Sequence, residues 1–276
     1  MAARLRGLTP AQLREPLGIA EYHGPRRQMM REIATPTMLH DGSGWGALAG
    51  MTAAILAGRG FTGAPAVTVE APAPFWADLG AFWQLEHHYI KAYPTCRWAH
   101  AAIDAVRELR AARGFTHDQV AAVRVRTFDN AAALWPALPG TTSQAQYALP
   151  FPVAVMLVHG RIGVEHISGA GLSDPAVARL VACTQVAADP RHESRNSAGR
   201  RSDAEIVLTD GRVLASGGVH ARGGPERPFG EAEIVEKFHE FADPALGSAR
   251  AAALRDACLA LTRPGSRFAD LAAHLY

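Results

Sequence analysis

One short segment carries most of the side chains that could do chemistry. It reads Lys91-Ala-Tyr-Pro-Thr-Cys-Arg-Trp-Ala-His100 and so joins an ammonium, a phenol, a guanidinium and an imidazole. Lysine is rare in this chain: besides Lys91 only Lys237 occurs, and every other Lys-or-Arg position is arginine. A lysine ammonium can shift its pKa and move protons, whereas arginine stays charged. Histidine suits proton transfer near neutral pH. Lys91 and His100 are therefore the first candidates for proton transfer.

Both residues also have an ordinary structural interpretation. Lys91 could be a solvated surface lysine, which is where most lysines lie. His100 could be a core histidine that caps a helix or orders the Tyr93-Pro94 loop.

A third candidate, His40, lies in a glycine-rich turn before a helix of small residues. It could carry a proton or a positive charge, or be only a polar turn residue. Gly42 and Gly44 could present backbone N–H groups to a carboxylate at the helix start.

His87-His88 resembles a metal pair, but adjacent side chains diverge on a helix or strand. The sequence therefore predicts no metal site, and it has no nucleotide-binding loop, so we expect no cofactor.

The elements that must position these residues fall into three zones. Residues 1–63 are predicted to be helical, with a start at Thr9-Pro10 and a small-residue helix over 45–59 that packs on several sides and stops at Gly60. Residues 64–230 mix helices and strands. Residues 231–276 return to amphipathic helix.

The middle zone contains the clearest local signals. We predict a helix over 99–113 closed by Gly114, a capping box from Thr116 to Gln119, and a half-buried strand through Val123 and Val125. Residues 152–159 read as a buried helix, and Thr209-Asp210-Gly211 as a hairpin turn.

This order predicts an α and α+β fold: a partial all-helical domain built from both chain ends, 1–63 and 231–276, with an inserted α+β lid domain over 64–230. The opening zone is too short to form a core by itself.

Composition excludes several classes of protein. The chain has 276 residues, 48% hydrophobic and 20% charged, and a formal net charge of +2, which gives no reason to expect nucleic acid or an anionic membrane as partner. Three scattered cysteines indicate a reducing compartment and argue against both disulfides and an iron–sulfur cluster. With no secretory signal and no spanning segment, we expect a cytoplasmic protein.

Five segments, in order, resemble the MmgE/PrpD family, whose members include 2-methylcitrate dehydratase and cis-aconitate decarboxylase. The strongest is Lys91 to His100, which continues into Ile103-Asp104-Ala105. The others are Asp41-Gly-Ser-Gly-Trp-Gly with Gly60-Phe-Thr-Gly63, Gln144-Ala-Gln-Tyr-Ala-Leu-Pro-Phe-Pro, Asp210-Gly-Arg with Arg222-Gly-Gly, and Pro228 with Lys237-Phe238.

The resemblance implies a helical domain with an α+β lid, usually dimeric, and a long helical N-terminal region that this chain does not include. We therefore expect either a homodimer or a partner chain that supplies the missing helices. The chain could also be a truncated product or half of a split enzyme.

The resemblance also implies a cofactor-independent lyase, most simply a dehydratase of a small hydroxy di- or tricarboxylate such as 2-methylcitrate in propionate metabolism. Such chemistry needs neutralised carboxylates, a moved proton and a stabilised enolate-like charge. Lys91, His100 and His40 are assigned to catalysis, and Tyr93, Arg97, Arg222, Gly42 and Gly44 to substrate binding. Surface solvation is the alternative for the two arginines.

Two departures from the family leave other reactions open. His40 stands where many relatives have lysine, and Phe151 stands where some have an active-site tyrosine. Tyr147 could compensate for Phe151 but is more often a core residue. Decarboxylation or epimerisation of a related acid, and a non-catalytic remnant or split-enzyme fragment, are therefore the alternatives.

Overall fold

The computed structural model describes residues 1–26, 28–40, 42–71, 76–193 and 200–275. The chain divides into two compact units, residues 1–86 and residues 87–276. Residues 231–275 pack within the second unit. The predicted joining of residues 231–276 to residues 1–63 in one helical domain, with 64–230 as a lid, stays a prediction.

The first unit is helical in the part that the structure describes. Its helices are α1 (Ala2–Leu5), α2 (Arg14–His23), α3 (Met29–Ile33), α4 (Ser43–Gly58) and α5 (Val67–Glu70), with 3₁₀ turns at Ala11–Leu13 and Gln84–His87. The predicted start at Thr9-Pro10 is confirmed in part: the backbone N–H of Gln12 donates to the Thr9 hydroxyl at 3.3 Å, but the element that begins there is the 3₁₀ turn, with Pro10 as its cap residue, and α2 follows from Arg14.

The core of this unit forms where α4 meets α2. Ala53 and Ala57 are buried against Ile19, and Leu8, Ala20 and Leu56 surround them. The opposite side of α4 is open: Trp45 is 57% exposed and Leu48 54% exposed. Helix α4 contacts α2, α1 and the 3₁₀ turn at Ala11–Leu13, so the expected packing of small residues against several neighbours is confirmed in part. It does not extend to the side that carries Trp45 and Leu48.

The second unit is built on a five-stranded mixed sheet. Its strands are β1 (Val120–Thr127), β2 (Thr184–Ala188), β3 (Arg201–Leu208), β4 (Val213–Ala215) and β5 (Val219–His220). The order is β2-β1-β3-β4, with β5 also paired to β3; β1 and β2 are parallel and the other pairs antiparallel.

Helices cover this sheet and extend beyond it. They are α6 (His100–Arg113), α7 (Asp129–Ala132), α8 (Thr142–Gln146), α9 (Pro150–His159), α10 (Pro175–Ala182), α11 (Glu231–Leu246), α12 (Ser248–Ala260) and α13 (Phe268–Ala272). Helix α6 packs against β3 and α9, and α11 packs against α12. Ile103, Val106, Phe151, Met156 and Ile206 form part of the resulting core.

The local signals in this unit are confirmed. Helix α6 ends at Gly114, which has a φ of 58°. The capping box of Thr116 and Gln119 is present, and the predicted hairpin joins β3 to β4. The mixed α+β character is therefore confirmed, while the lid arrangement stays a prediction. No helix of the described ranges is both long and apolar enough to span a membrane.

Candidate functional site

The segment from Lys91 to His100 runs along the second unit and leads directly into α6. A 3₁₀ turn at Arg97–Ala99 precedes the first α-helical residue, His100. Within the segment, Tyr93, Thr95, Arg97 and His100 are buried, and Lys91 is exposed. The segment therefore inserts most of its polar side chains into the unit and leaves the lysine in solvent.

A buried carboxylate, Asp104, organises the inserted side chains. It lies one turn after His100 on α6 and is 0% exposed. The Tyr93 hydroxyl donates to its Oδ1 at 2.6 Å, and Nε of Arg222 donates to the same oxygen at 3.0 Å. The backbone N–H of Arg222 donates to Oδ2 at 2.8 Å. Asp104 thus joins the Lys91 segment to the Arg222-Gly-Gly loop.

These contacts fix the charge states of the network. Burial, reinforced by the Asp104 charge, raises the pKa of Tyr93 well above its ordinary value, so the phenol keeps its proton. Burial alone would lower the pKa of Arg222, but Tyr93 and Asp104 outweigh it and raise that pKa. The network is therefore an arginine cation, a carboxylate and a neutral phenol.

The second predicted arginine, Arg97, holds the same loop from another direction. Its guanidinium donates to the carbonyl of Arg222 and, at 3.1 Å, to that of Ala221. It also lies over the ring of Tyr89, 4.6 Å from the centroid. Neither arginine is the solvated surface side chain that the sequence allowed as an alternative, because both are largely buried and hydrogen-bonded.

Backbone contacts complete this junction, which we call the clasp: residues 89–100 with residues 221–224. The N–H of Ile90 donates to the carbonyl of Gly223 at 2.8 Å. Gly223 has a φ of 79°, and a Cβ there would lie 2.1 Å from the carbonyl oxygen of Ile90. Only glycine fits that position, so the backbone next to Lys91 is held by a residue far along the chain.

His100 lies inside the clasp. Its Nε2 lies 3.2 Å from the carbonyl oxygen of Thr95, which can only accept, so Nε2 carries the proton. Nδ1 is buried without a hydrogen-bond partner among the described residues. Burial, followed by the charge of Arg97, lowers the pKa of His100 to about 3. The imidazole is therefore neutral near pH 7 and packs edge-on against Tyr93, with centroids 5.1 Å apart.

Lys91 contributes to the electrostatics of this region. Its charge, with those of Arg97 and Arg222, disfavours protonation of His100. A second quoted motif also contacts the segment, since the N–H of Cys96 donates to the carbonyl of Gln146 at 2.6 Å. Three of the five motif segments thus meet in the second unit.

The remaining predicted residues belong to the first unit. His40 is exposed and makes interactions of its own. Gly42 is the residue before α4, and Gly44 lies in its first turn with open space around its Cα. Their proposed association with Lys91 and His100 stays a prediction.

Phe151 and Tyr147 occupy the entrance to α9. Phe151 is fully buried in the core, and Tyr147 is partly buried and makes interactions of its own. The position at which some relatives have a tyrosine is therefore an apolar core position in this chain.

A cavity of about 350 Å³ adjoins the clasp, and Tyr93 and Arg222 line part of it. Its other walls come from α6, the end of α9 and α11. The remaining lining residues are Ala92, Arg107, Met156, Gly160, Arg161, Ile162, Phe229, Glu233, Glu236, Lys237 and Glu240. The cavity is large enough for a small molecule.

One group of side chains has the composition of a metal site. Ligand atoms of Asp189, His192 and Asp203 lie within 4.8 Å of one another. However, Arg191 donates to Asp189 at 2.6 Å and to Asp203 at 3.1 Å. Its hydrogen bonds hold the pKa of Asp189 at about 2. Since an arginine already supplies the positive charge, we interpret the group as an ion-pair network. His87 and His88 are not part of it.

Asp104 is the residue that sequence reasoning did not select. It stands in the quoted Ile-Asp-Ala motif, four residues after His100, and that helical spacing placed both on one face of α6. Its partners Tyr93 and Arg222 also belong to the motifs given above, but no local pattern indicated that Asp104 contacts them.

Comparison with known proteins identifies one family. The sequence model described as the MmgE/PrpD C-terminal domain matches residues 93–262, which is more than half of the chain. No curated protein matches the chain. The matched range begins at Tyr93, within the clasp, and includes Asp104, Arg222 and Lys237.

Proposed function

Because the chain belongs to the MmgE/PrpD family, we propose that it acts as a lyase on a small polycarboxylate, most simply as a dehydratase of a hydroxy di- or tricarboxylate. The proposal rests on one observation above all. Lys91, Arg97 and Arg222 belong to the clasp: Arg97 donates to the carbonyl of Arg222, and the N–H of Ile90, the neighbour of Lys91, donates to the carbonyl of Gly223. A positive region of this kind favours a polyanionic substrate.

Lys91 is the proposed catalytic residue of the clasp. Of the three cations it alone is exposed, while Arg97 and Arg222 are used in holding the loop. A lysine there can bind a substrate carboxylate and can also donate a proton to the leaving hydroxyl. Tyr93, Arg97 and Arg222 would then position the lysine, and the two arginines would contribute positive charge.

The proposal assigns different roles to His100 and His40. The hydrogen bond to Thr95 and the contact with Tyr93 favour a loop-ordering role for His100, while a role in proton transfer would use its free Nδ1. For His40, Gly42 and Gly44 the proposal keeps the roles that the resemblance implies, and a partner chain could supply such groups instead.

The test separates charge from proton transfer at Lys91. The purified protein is assayed for binding and turnover of 2-methylcitrate, citrate, aconitate and tartrate. Lys91→Ala removes both functions, and Lys91→Arg keeps the charge but not a transferable proton. We expect Lys91→Ala to weaken binding about tenfold or more, and Lys91→Arg to bind but lose about 10²–10⁴-fold in kcat. Exposed Arg263→Gln is the charge control.

The products decide the reaction class. Release of water with an unsaturated acid indicates dehydration, whereas CO2 or the opposite stereoisomer indicates the alternatives. A folded protein that binds none of these acids, or an active protein unchanged by Lys91→Ala, would contradict the proposed site.

We also propose, by analogy with the family, that the protein works as a dimer or with a partner chain. The exposed apolar residues of α4 support an interface there. Light scattering coupled to size-exclusion chromatography would measure the assembly; a strictly monomeric and active protein would contradict it.

A further inference from the structure

The cavity beside the clasp contains two cations that the lyase proposal does not use. Arg107 lies on α6 and Lys237 on α11. Among the described side chains, neither forms an ion pair, and the contact recorded for Lys237 is with the ring of Phe241, 5.5 Å from its centroid. Arg161 and Arg222 differ, since Glu240 and Asp104 pair with them. Two cations that have no ion-pair partner among the described side chains therefore line one cavity.

The rest of the lining limits what those cations can bind. Met156, Ile162 and Phe229 provide apolar surface. Three carboxylates, Glu233, Glu236 and Glu240, line the same cavity. Glu233 and Glu240 pair with Arg222 and Arg161, whereas Glu236 forms no ion pair among the described side chains and would repel a second negative charge. The lining thus matches a ligand with one anionic end and an apolar body, and not a polyanion.

We infer that this cavity is a binding site for a small monocarboxylate with a short apolar chain. The carboxylate would bind between the guanidinium of Arg107 and the ammonium of Lys237, because planar guanidinium and carboxylate groups are complementary. The alkyl part would lie against Met156, Ile162 and Phe229. About 350 Å³ accommodates a chain of this kind.

The inference does not depend on the proposed lyase activity. Lys91 and His100 are not among the residues that line the cavity. The two proposals also differ in ligand: Lys91 is proposed to bind polycarboxylates, and Lys237 with Arg107 a monocarboxylate.

The chain offers a direct test because it has only two lysines, Lys91 and Lys237. The wild-type protein is labelled with an amine-reactive reagent, and the rate at each lysine is followed by peptide mass spectrometry. Hexanoate is the probe, hexan-1-ol the neutral control and citrate the polyanion control. We expect hexanoate to slow labelling of Lys237 several-fold and leave Lys91 unchanged. Hexan-1-ol and citrate should not slow Lys237.

Calorimetric titration of hexanoate gives the second measurement. Lys237→Gln and Arg107→Gln should each weaken hexanoate binding about tenfold or more. Arg263→Gln, an exposed arginine outside the cavity, and Lys91→Ala should bind hexanoate as the wild type does. The proposal is overturned if hexanoate protects neither lysine or both equally, or if Lys91→Ala abolishes hexanoate binding. Failure of the polycarboxylate assays alone would leave these results unchanged.

Discussion

The hydroxyl of Tyr93 lies 2.6 Å from Oδ1 of Asp104, and the same oxygen accepts a hydrogen bond from Arg222. Tyr93 and Asp104 are both buried. A carboxylate in this position is stable only while its partners remain, because removing one side of a buried pair leaves the other charge without compensation. Asp104 therefore determines whether the clasp holds together.

Replacement of Asp104 should destabilise the protein strongly. Asp104→Asn leaves Arg222 without its main partner, and we expect a loss of about 3–5 kcal/mol in the free energy of unfolding. Tyr93→Phe removes one hydrogen bond and should cost about 1–3 kcal/mol. Urea denaturation measures both. The double variant should lose less than the sum of the single losses, since they share one contact. Full additivity would show that Tyr93 and Asp104 are not coupled.

His100 should make the protein less stable in mild acid. Its pKa in the folded state is about 3, below the ordinary value of 6.5 for histidine. Between these values the unfolded chain binds a proton that the folded chain does not. The stabilising contribution is therefore complete above about pH 6.5 and is lost as pH falls, by up to about 1.4 kcal/mol per unit.

The comparison of His100→Gln with the wild type isolates this effect. Denaturation curves between pH 6.5 and 5 should show a smaller slope of stability against pH for His100→Gln. His88→Gln, at an exposed position, is the control and should keep the wild-type slope. Equal slopes in all three proteins would contradict the buried, neutral imidazole.

Gly223 should not tolerate a side chain. An alanine Cβ would lie 2.1 Å from the carbonyl oxygen of Ile90, at a φ of 79°. Gly217 has a similar φ of 69° but nothing within 4 Å of its Cβ position. Gly217→Ala should cost about 1–2 kcal/mol from its backbone conformation alone. Gly223→Ala should cost clearly more and should also weaken polycarboxylate binding through displacement of Lys91. Equal stability of the two variants would show that the close approach is not maintained.

Phe151→Tyr should destabilise the protein without changing its reaction. Phe151 is 0% exposed. A tyrosine hydroxyl there would be buried at a position that phenylalanine fills without a hydrogen bond, and we expect this to lower the free energy of unfolding by about 1–3 kcal/mol. Thermal denaturation and an assay for CO2 release from cis-aconitate provide the measurements. Unchanged stability together with new decarboxylation would show that position 151 faces the substrate.

Several features of the second unit could be predicted from local sequence signals. Gly114 ends α6, Thr116 and Gln119 form a capping box, and Asp210-Gly211 turns the chain between β3 and β4. Each signal concerns a few neighbouring residues whose hydrogen bonds close within the segment. Sequence patterns report such features well.

Elements with weak local signals were not predicted. Strand β2 is a mostly exposed edge strand of five residues, in which only Thr184 and Val186 are β-branched and two alanines follow, so its local signal is short and weak. Helix α10 differs, because Asp174 caps it and Pro175 stands at its first position, which is a readable local signal. Strand β2 depends instead on its parallel pairing with β1, which no local pattern encodes.

The clasp lay beyond sequence reasoning for a related reason. Arg97 and the Arg222 carbonyl it contacts are 125 residues apart. The motifs identified both arginines, but abundance of arginine made surface positions the default for each. Whether a charged side chain can be buried depends on its partner. That Asp104 is the partner of Arg222 is evident only in the folded chain.

The hydrogen bond between Ile90 and Gly223 also has a consequence for how the domain folds. It closes a chain loop that contains all of α6 to α10 and the whole sheet. Closing such a loop costs configurational entropy that only the assembled interior can offset. Contacts of high sequence separation also form slowly. We therefore expect the backbone beside Lys91 to become ordered at a late stage, after the sheet and its helices, so that a partly folded chain would lack the proposed anion site.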